Sequence, residues 1–170
     1  VSRTAHGGIA MTDPFDFDKP ARYAVMGNPV GHSKSPRIHA MFAREFHHSI
    51  EYSAIQVDPG GFRQAVDEFR AGGGSGLNVT VPFKQDAFRL VDHMSERAQL
   101  AGAVNTIRFE ADGRVFGDNT DGAGLVHDLL HNLGVTIKGR NILVLGAGGA
   151  VRGVLGPLLK QHPAMLMLAN

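Results

Sequence analysis

The sequence predicts an α/β protein built around a mainly parallel sheet, with a second, incomplete unit of the same kind at its end. Three observations carry this expectation. Short apolar runs of strand character alternate with segments whose apolar residues recur at helical spacing. Glycine, proline and asparagine punctuate the junctions between them. From Arg140 onward a fresh strand, glycine-rich turn, helix and strand follow in order.

Val1 to Pro20 is polar, glycine-bearing and aperiodic, so a flexible leader is expected over 1–20, with Met11 a candidate natural start. Its first residues lack the apolar stretch of a signal peptide. Arg22 to Met26 reads as a buried strand stopped by the turn Gly27, Asn28, Pro29. Ser35 followed by Pro36 predicts a helix cap, and Ile38, Met41, Phe42 and Phe46 supply the apolar stripe behind it. Glu51 to Val57 alternates like a strand, and Phe62, Val66 and Phe69 mark a second helix ended by three glycines. Leu77 to Val81 reads as a strand, and Ser95 caps a short helix. Asn105–Phe109 and Arg114–Phe116 flank an Ala111-Asp112-Gly113 turn as a hairpin. Asp121 to Leu133 is an amphipathic helix leading into the last unit, which comprises Asn141–Leu145, a helix to about Gln161, and Ala164–Ala169. The junction falls near Gly117 to Gly122, giving one domain over 21–120 and the start of another over 121–170.

Composition narrows the function classes. The 170 residues are 43% hydrophobic and 19% charged, the profile of a globular chain rather than a disordered one. A formal net charge of +1 with scattered basic residues gives no footprint for nucleic acid. No apolar run is long enough to span a membrane. The absence of cysteine removes disulfides, thiolate nucleophiles and thiolate metal sites, and fits a cytoplasmic protein. No metal site is expected, because His47 and His48 are adjacent rather than one helical turn apart.

Gly146, Ala147, Gly148, Gly149 and Ala150 lie between an apolar strand and a helix. Gly146 permits the tight turn, and Gly148 lets a pyrophosphate approach the helix N-terminus, where free N–H groups favour an anion. The third glycine of the dinucleotide fingerprint is absent, with Val151 in its place, so a ligand-free turn stays open as the bland reading. Arg152 either adds charge near the phosphates or is a solvated helix-face arginine. The residue that separates NAD from NADP falls at the end of the second strand, where the sequence reaches Asn170.

Four earlier segments place polar groups at strand ends. Ser33 and Ser35 offer two hydroxyls for a carboxylate, although a helix cap explains part of that segment. Asn78 and Thr80 share one strand face, and Lys84 follows a proline turn and can reach back over it. Asn105 opens a strand, and Asp121 opens a helix, where a plain cap competes as an explanation. Taken together, one lysine, one aspartate, two asparagines and several hydroxyls suit a small polyhydroxylated acid.

Tyr23 to Pro36, Asn78 to Lys84, Ala101 to Thr106, Gly117 to Gly122 and Gly146 to Ala150 resemble, in order and spacing, the motif blocks of the shikimate dehydrogenases. The resemblance implies NADPH-dependent reversible reduction of 3-dehydroshikimate to shikimate in aromatic amino-acid biosynthesis. It implies that Ser33 and Ser35 hold the carboxylate, that Asn78, Thr80, Asn105 and Asp121 hold the hydroxyls, and that Lys84 and Asp121 form the catalytic pair. It places Gly146 to Ala150 and Asn170 at the NADP site, on an incomplete Rossmann unit. A quinate/shikimate dehydrogenase using NAD or NADP is the alternative within the family, and homodimer formation is a further expectation. Members of the family extend well past the position matching Asn170. The chain is therefore expected to be a C-terminally truncated piece with little turnover, retaining substrate binding, and with Leu143, Leu145, Leu166 and Leu168 incompletely covered.

Overall fold

The computed structural model describes residues 19–170. The leader expected over 1–20 lies outside the described residues apart from Lys19 and Pro20. Strands β1 (Ala21–Gly27), β2 (Ile50–Gln56), β3 (Gly74–Val79), β4 (His93–Met94), β5 (Thr106–Phe109) and β6 (Val115–Asp118) form one sheet in the order β2-β1-β3-β5-β6-β4. Three of its five pairings are parallel (β1 with β2, β1 with β3, β4 with β6), so the sheet is mainly parallel, as expected. The hairpin β5–β6 supplies the antiparallel pairings, its tight connection turning through Gly113 at φ +90°.

Helices α1 (Ser35–Glu45), α2 (Phe62–Ala71), α3 (Lys84–Leu90) and α4 (Glu96–Ala101) connect these strands. Met26, Val66, Leu77, Val104 and Ile107 are buried between sheet and helices, and the Phe62 and Phe83 rings stack at 5.1 Å. Each such side chain contributes roughly 1.5–3 kcal/mol through burial. Ser95 caps α4 as expected, its Oγ accepting the Ala98 N–H at 3.2 Å.

Several expectations are corrected. Ser35 is the first residue of α1 rather than its cap, because Lys34 already has helical dihedrals (φ −85°, ψ −5°). The α1 stripe of Ile38, Met41, Phe42 and Phe46 is exposed; Ala43 is the buried residue of that helix. Thr80 falls just beyond β3, since the proline at 82 offers no N–H to extend the ladder. Helix α3 was not expected; Ala87, Phe88 and Val91 seat it on the core.

Helix α5 (Asp121–His127) runs into a π-helical turn over Asp128–Asn132, where the expectation was one regular helix to Leu133. The Leu133 N–H reaches the Asp128 carbonyl at 3.0 Å, and the wide turn lets adjacent Leu129 and Leu130 both pack against Val126, Ile137 and Leu158. Strands β7 (Asn141–Leu145) and β8 (Met165–Ala169) pair in parallel around α6 (Gly149–Leu159), the expected βαβ unit. Ile142, Val144 and Leu166 face the helices. Leu143, Leu145 and Leu168 are exposed, so three of the four leucines expected to lack cover do, while Leu166 is packed. Among the described residues no helix is long and apolar enough to cross a membrane.

Candidate active site

Sheet register assembles the polar residues. Asn78 on β3 pairs with Thr106 on β5, and Thr106 pairs with Asp118 on β6. Because β5 runs against its neighbours, its beginning lies beside the ends of β3 and β6. Asn105 and the loop 119–121 therefore converge at one edge of the sheet, with Lys84 arriving on the first turn of α3.

The centre of this cluster is an ion pair. Lys84 Nζ lies 2.5 Å from Asp121 Oδ2, with side-chain exposures of 19% and 26%. The other carboxylate oxygen of Asp121 accepts from Asn105 Nδ2 at 2.7 Å, and its backbone N–H donates to Asn119 Oδ1 at 3.2 Å. Asn105, 9% exposed, also donates to Thr120 Oγ1 at 3.0 Å, while its own oxygen accepts the Thr120 N–H at 3.0 Å and the Thr106 hydroxyl at 2.8 Å. Asp121 is thus more than a helix-opening residue. Its two oxygens are held by separate partners, which fixes the direction in which the lysine amine points.

A second cluster adjoins the first. The Tyr52 hydroxyl donates to Asn78 Oδ1 at 2.6 Å, and burial pushes its pKa up to about 12 despite a hydrogen bond with Ser35. The His39 ring stacks on Tyr52 at 4.3 Å, and burial holds its pKa below the usual histidine range. The Ser33 hydroxyl donates to that of Ser35 at 3.2 Å, so the two hydroxyls sit together as expected. Thr80 lies outside the hydrogen-bonded set, its methyl against Gly27.

Sequence reasoning missed Tyr52, Thr106 and Asn119. Thr106 was adjacent to a chosen residue on the same motif. A lone tyrosine on an alternating strand gave no comparable signal.

Asp118 closes the cluster from below. Its carboxylate receives a two-pronged contact from Arg97, including Nε at 2.7 Å, together with the Asn119 N–H at 2.7 Å and the Ser95 hydroxyl. The Arg97 guanidinium, then the Ser95 and Asn119 donors, hold its pKa below the ordinary carboxylate range against the opposing effect of burial.

A cleft of about 290 Å³ is lined by Val81, Pro82, Lys84, Gln85, Gly149 and Ala150, so Lys84 and the end of the glycine-rich turn share one space. Gly146 takes φ +105°, a conformation that needs glycine, and an added Cβ at Gly148 or Gly149 would meet open space. The bare backbone at the start of an 11-residue helix fits a pyrophosphate. Ala147 and Asn170 are exposed at the ends of the adjacent strands. Arg152 lines a different, larger hollow of about 850 Å³ between α4 and α6, together with Arg97 and Lys160. That placement favours the solvated helix-face reading for Arg152.

The model of the shikimate dehydrogenase substrate-binding domain matches residues 25–107. A shikimate dehydrogenase (NADP(+)) of Hahella chejuensis is 59% identical over 148 residues, covering 87% of this chain and 54% of that protein. Over most of its length the chain is similar to shikimate dehydrogenases. A shikimate dehydrogenase (NADP(+)) of Aromatoleum aromaticum is 57% identical over 149 residues, covering 88% of this chain and 53% of that protein. The chain spans about half the length of these curated relatives. Among solved structures, an Ael1 enzyme from Pseudomonas putida matches with TM-score 0.84 at 50% identity, covering 88% of this chain and 55% of that one. The shikimate dehydrogenase of Thermus thermophilus, solved with NADP(H) and shikimate, matches with TM-score 0.79 at 34% identity, covering 88% and 56%.

Proposed function

We propose that the protein to which this chain belongs reduces 3-dehydroshikimate to shikimate with NADPH, reversibly, with residues 21–120 forming the substrate domain and 121–170 opening the nucleotide domain. The observation that carries this reading is the Lys84–Asp121 pair at 2.5 Å, whose lysine lines a cleft shared with Gly149 and Ala150. Ser33 and Ser35 take the substrate carboxylate, and Asn78, Thr80, Asn105 and Asp121 take its hydroxyls. Thr80 stands on its neighbourhood and on the resemblance, since its side chain lies outside the hydrogen-bonded set. Gly146, Ala147, Gly148, Gly149 and Ala150 would hold the pyrophosphate of the dinucleotide, with Asn170 completing that site.

A dinucleotide held by these residues would supply hydride to the carbonyl carbon. As that C–H bond formed, the carbonyl π electrons would move to oxygen, and the Lys84 ammonium would stabilise that charge and give up a proton to complete the alcohol. Asp121 keeps the ammonium aimed, and Asn105 keeps Asp121 in place. In the reverse direction the Lys84 amine would take the hydroxyl proton while hydride passed from the ring carbon to the oxidised dinucleotide. The relatives' names favour shikimate over quinate and NADP over NAD.

Action in the cytoplasm and association as a homodimer belong to the same reading. The absence of cysteine supports the first, and the open edge of β2 beside the exposed stripe of α1 supports the second.

Steady-state reduction of 3-dehydroshikimate by the full-length protein tests the chemistry. Lys84→Met is expected to lower kcat by roughly 10²–10⁴-fold with the fold retained. A parent protein that oxidises no NADPH with this substrate, or a Lys84→Met variant of normal turnover, would overturn the reading.

A further inference from the structure

We infer that Asn119 and Gly153 form a positioning contact that sets how the Lys84–Asp121 pair stands relative to the glycine-rich turn. The inference rests on the reading above and assigns a role to two residues that touch neither reactant.

Asn119 is 1% exposed, and with Asn105 it is one of two buried polar side chains among the described residues. Its Nδ2 donates to the Ala103 carbonyl at 3.0 Å, and its Oδ1 accepts the N–H of Asp121 at 3.2 Å. The amide therefore ties the end of α4 to the backbone that carries the catalytic carboxylate. Its remaining contact is with the other unit of the chain. A Cβ on Gly153 would lie 3.0 Å from Asn119 Oδ1 and 3.1 Å from Nδ2, so helix α6 approaches the amide with bare backbone. Gly122, next to Asp121, repeats the arrangement, since its Cβ would meet the Gly153 carbonyl at 2.3 Å and Pro157 Cγ at 2.6 Å.

Gly153 stands four residues into α6 from Gly149, or about 6 Å along the axis from the helix start that faces the nucleotide. A helix is stiff over one turn, so a displacement at Gly153 reaches the pyrophosphate end almost undiminished. On the other side Asn119 is bonded directly to the backbone of Asp121. The contact is thus a short rigid path between the two halves of the reaction. Asparagine suits it because the flat amide has one donor for Ala103 and one acceptor for Asp121. A carboxylate would lose the donor and set a third negative group beside Asp118 and Asp121, and an alkyl side chain would leave two backbone groups without partners.

The test uses the full-length protein with Gly153→Ala, Asn119→Ala and the double variant. The readouts are kcat, the primary isotope effect from NADPH deuterated at the transferred position, and separate dissociation constants for shikimate and NADP+. For Gly153→Ala the expected result is a kcat loss of roughly 10–100-fold with an increased isotope effect, because hydride transfer is misaligned. Both dissociation constants should stay within about twofold, and the double variant should lose less than the product of the single losses. Loss of thermal stability alone would leave the isotope effect unmoved. A folded Gly153→Ala protein with parental kcat and isotope effect overturns the inference, as does a loss confined to either dissociation constant. If Gly153→Ala does not fold, Asn119→Ser decides by the same readouts. A parent protein without 3-dehydroshikimate reduction removes the functional reading itself, a different result from an active parent with normal variants.

Discussion

Replacing Asn105 by aspartate changes one NH₂ group into an oxygen and leaves side-chain shape almost untouched. In the native site Asn105 Nδ2 is a donor 2.7 Å from Asp121 Oδ1. Asn105→Asp puts a carboxylate oxygen there instead, while the acceptor role toward the Thr120 N–H and the Thr106 hydroxyl survives. Two full charges at that separation repel by about 6 kcal/mol at an effective dielectric constant of 20. Protonating the introduced carboxyl is cheaper. Holding a group of intrinsic pKa about 3.9 protonated costs about 4 kcal/mol at pH 7 and about 1.5 kcal/mol at pH 5. The folded variant keeps a proton that its unfolded chain releases, so its stability falls as pH rises from about 4 toward neutrality. Urea unfolding of parent and variant at several pH values between about 5 and 7 measures the gap directly. A gap that narrows on acidification by about 1.4 kcal/mol per pH unit supports the geometry. A constant gap, or none, would show that Asn105 and Asp121 do not face each other as described.

Three further outcomes follow from other parts of the molecule. Gly122→Ala would force a Cβ against the Gly153 carbonyl at 2.3 Å and the Val154 Cα at 2.9 Å, backbone atoms that cannot turn aside. Overpacking of this kind costs about 1–3 kcal/mol, and a Tm several degrees lower by circular dichroism is expected, whereas an unchanged Tm would contradict the α5–α6 contact. The depressed pKa of Asp118 means that its ionised form stabilises the fold above the unfolded carboxylate pKa, and this is lost as pH falls below about 4 through the folded value. Arg97→Met should reduce that acid sensitivity, read as the slope of Tm against pH. Ser95→Ala removes the α4 cap and should cost about 1 kcal/mol in denaturant unfolding, with Ser95→Thr largely restoring it.

Much of the fold was legible because its signals are local. The Ala111-Asp112-Gly113 turn announced the hairpin, Ser95 announced its helix, and the strand-turn-helix around Gly146 announced the last unit. The polar residues Lys84, Asn105 and Asp121 could be chosen from strand and helix ends. Their meeting could not be read, because it depends on β5 being inserted antiparallel between β3 and β6. Tyr52 was invisible for a similar reason: it belongs to β2 yet reaches Asn78 on β3, with β1 between them. Asn119 looked like one more polar residue in a turn. Its burial follows from the approach of α6, and nothing local to residue 119 encodes that. The stripe of α1 was read correctly as a pattern, but a pattern says which residues share a face and not what lies opposite.

The hairpin β5–β6 imposes opposite rules on its two ends. At its base, Thr106 and Asp118 are paired, and a slip of one residue would set Ile107 against Asp118 instead and turn one strand's side chains to the opposite face. At its tip, residues 110–114 lie a four-residue strand away, roughly 13 Å from that line. Loop length there can change without disturbing the pairing below it. A short peptide inserted beside Gly113 would therefore be carried as a passive attachment, making the tip a suitable point for a fluorescent or affinity label on a working protein.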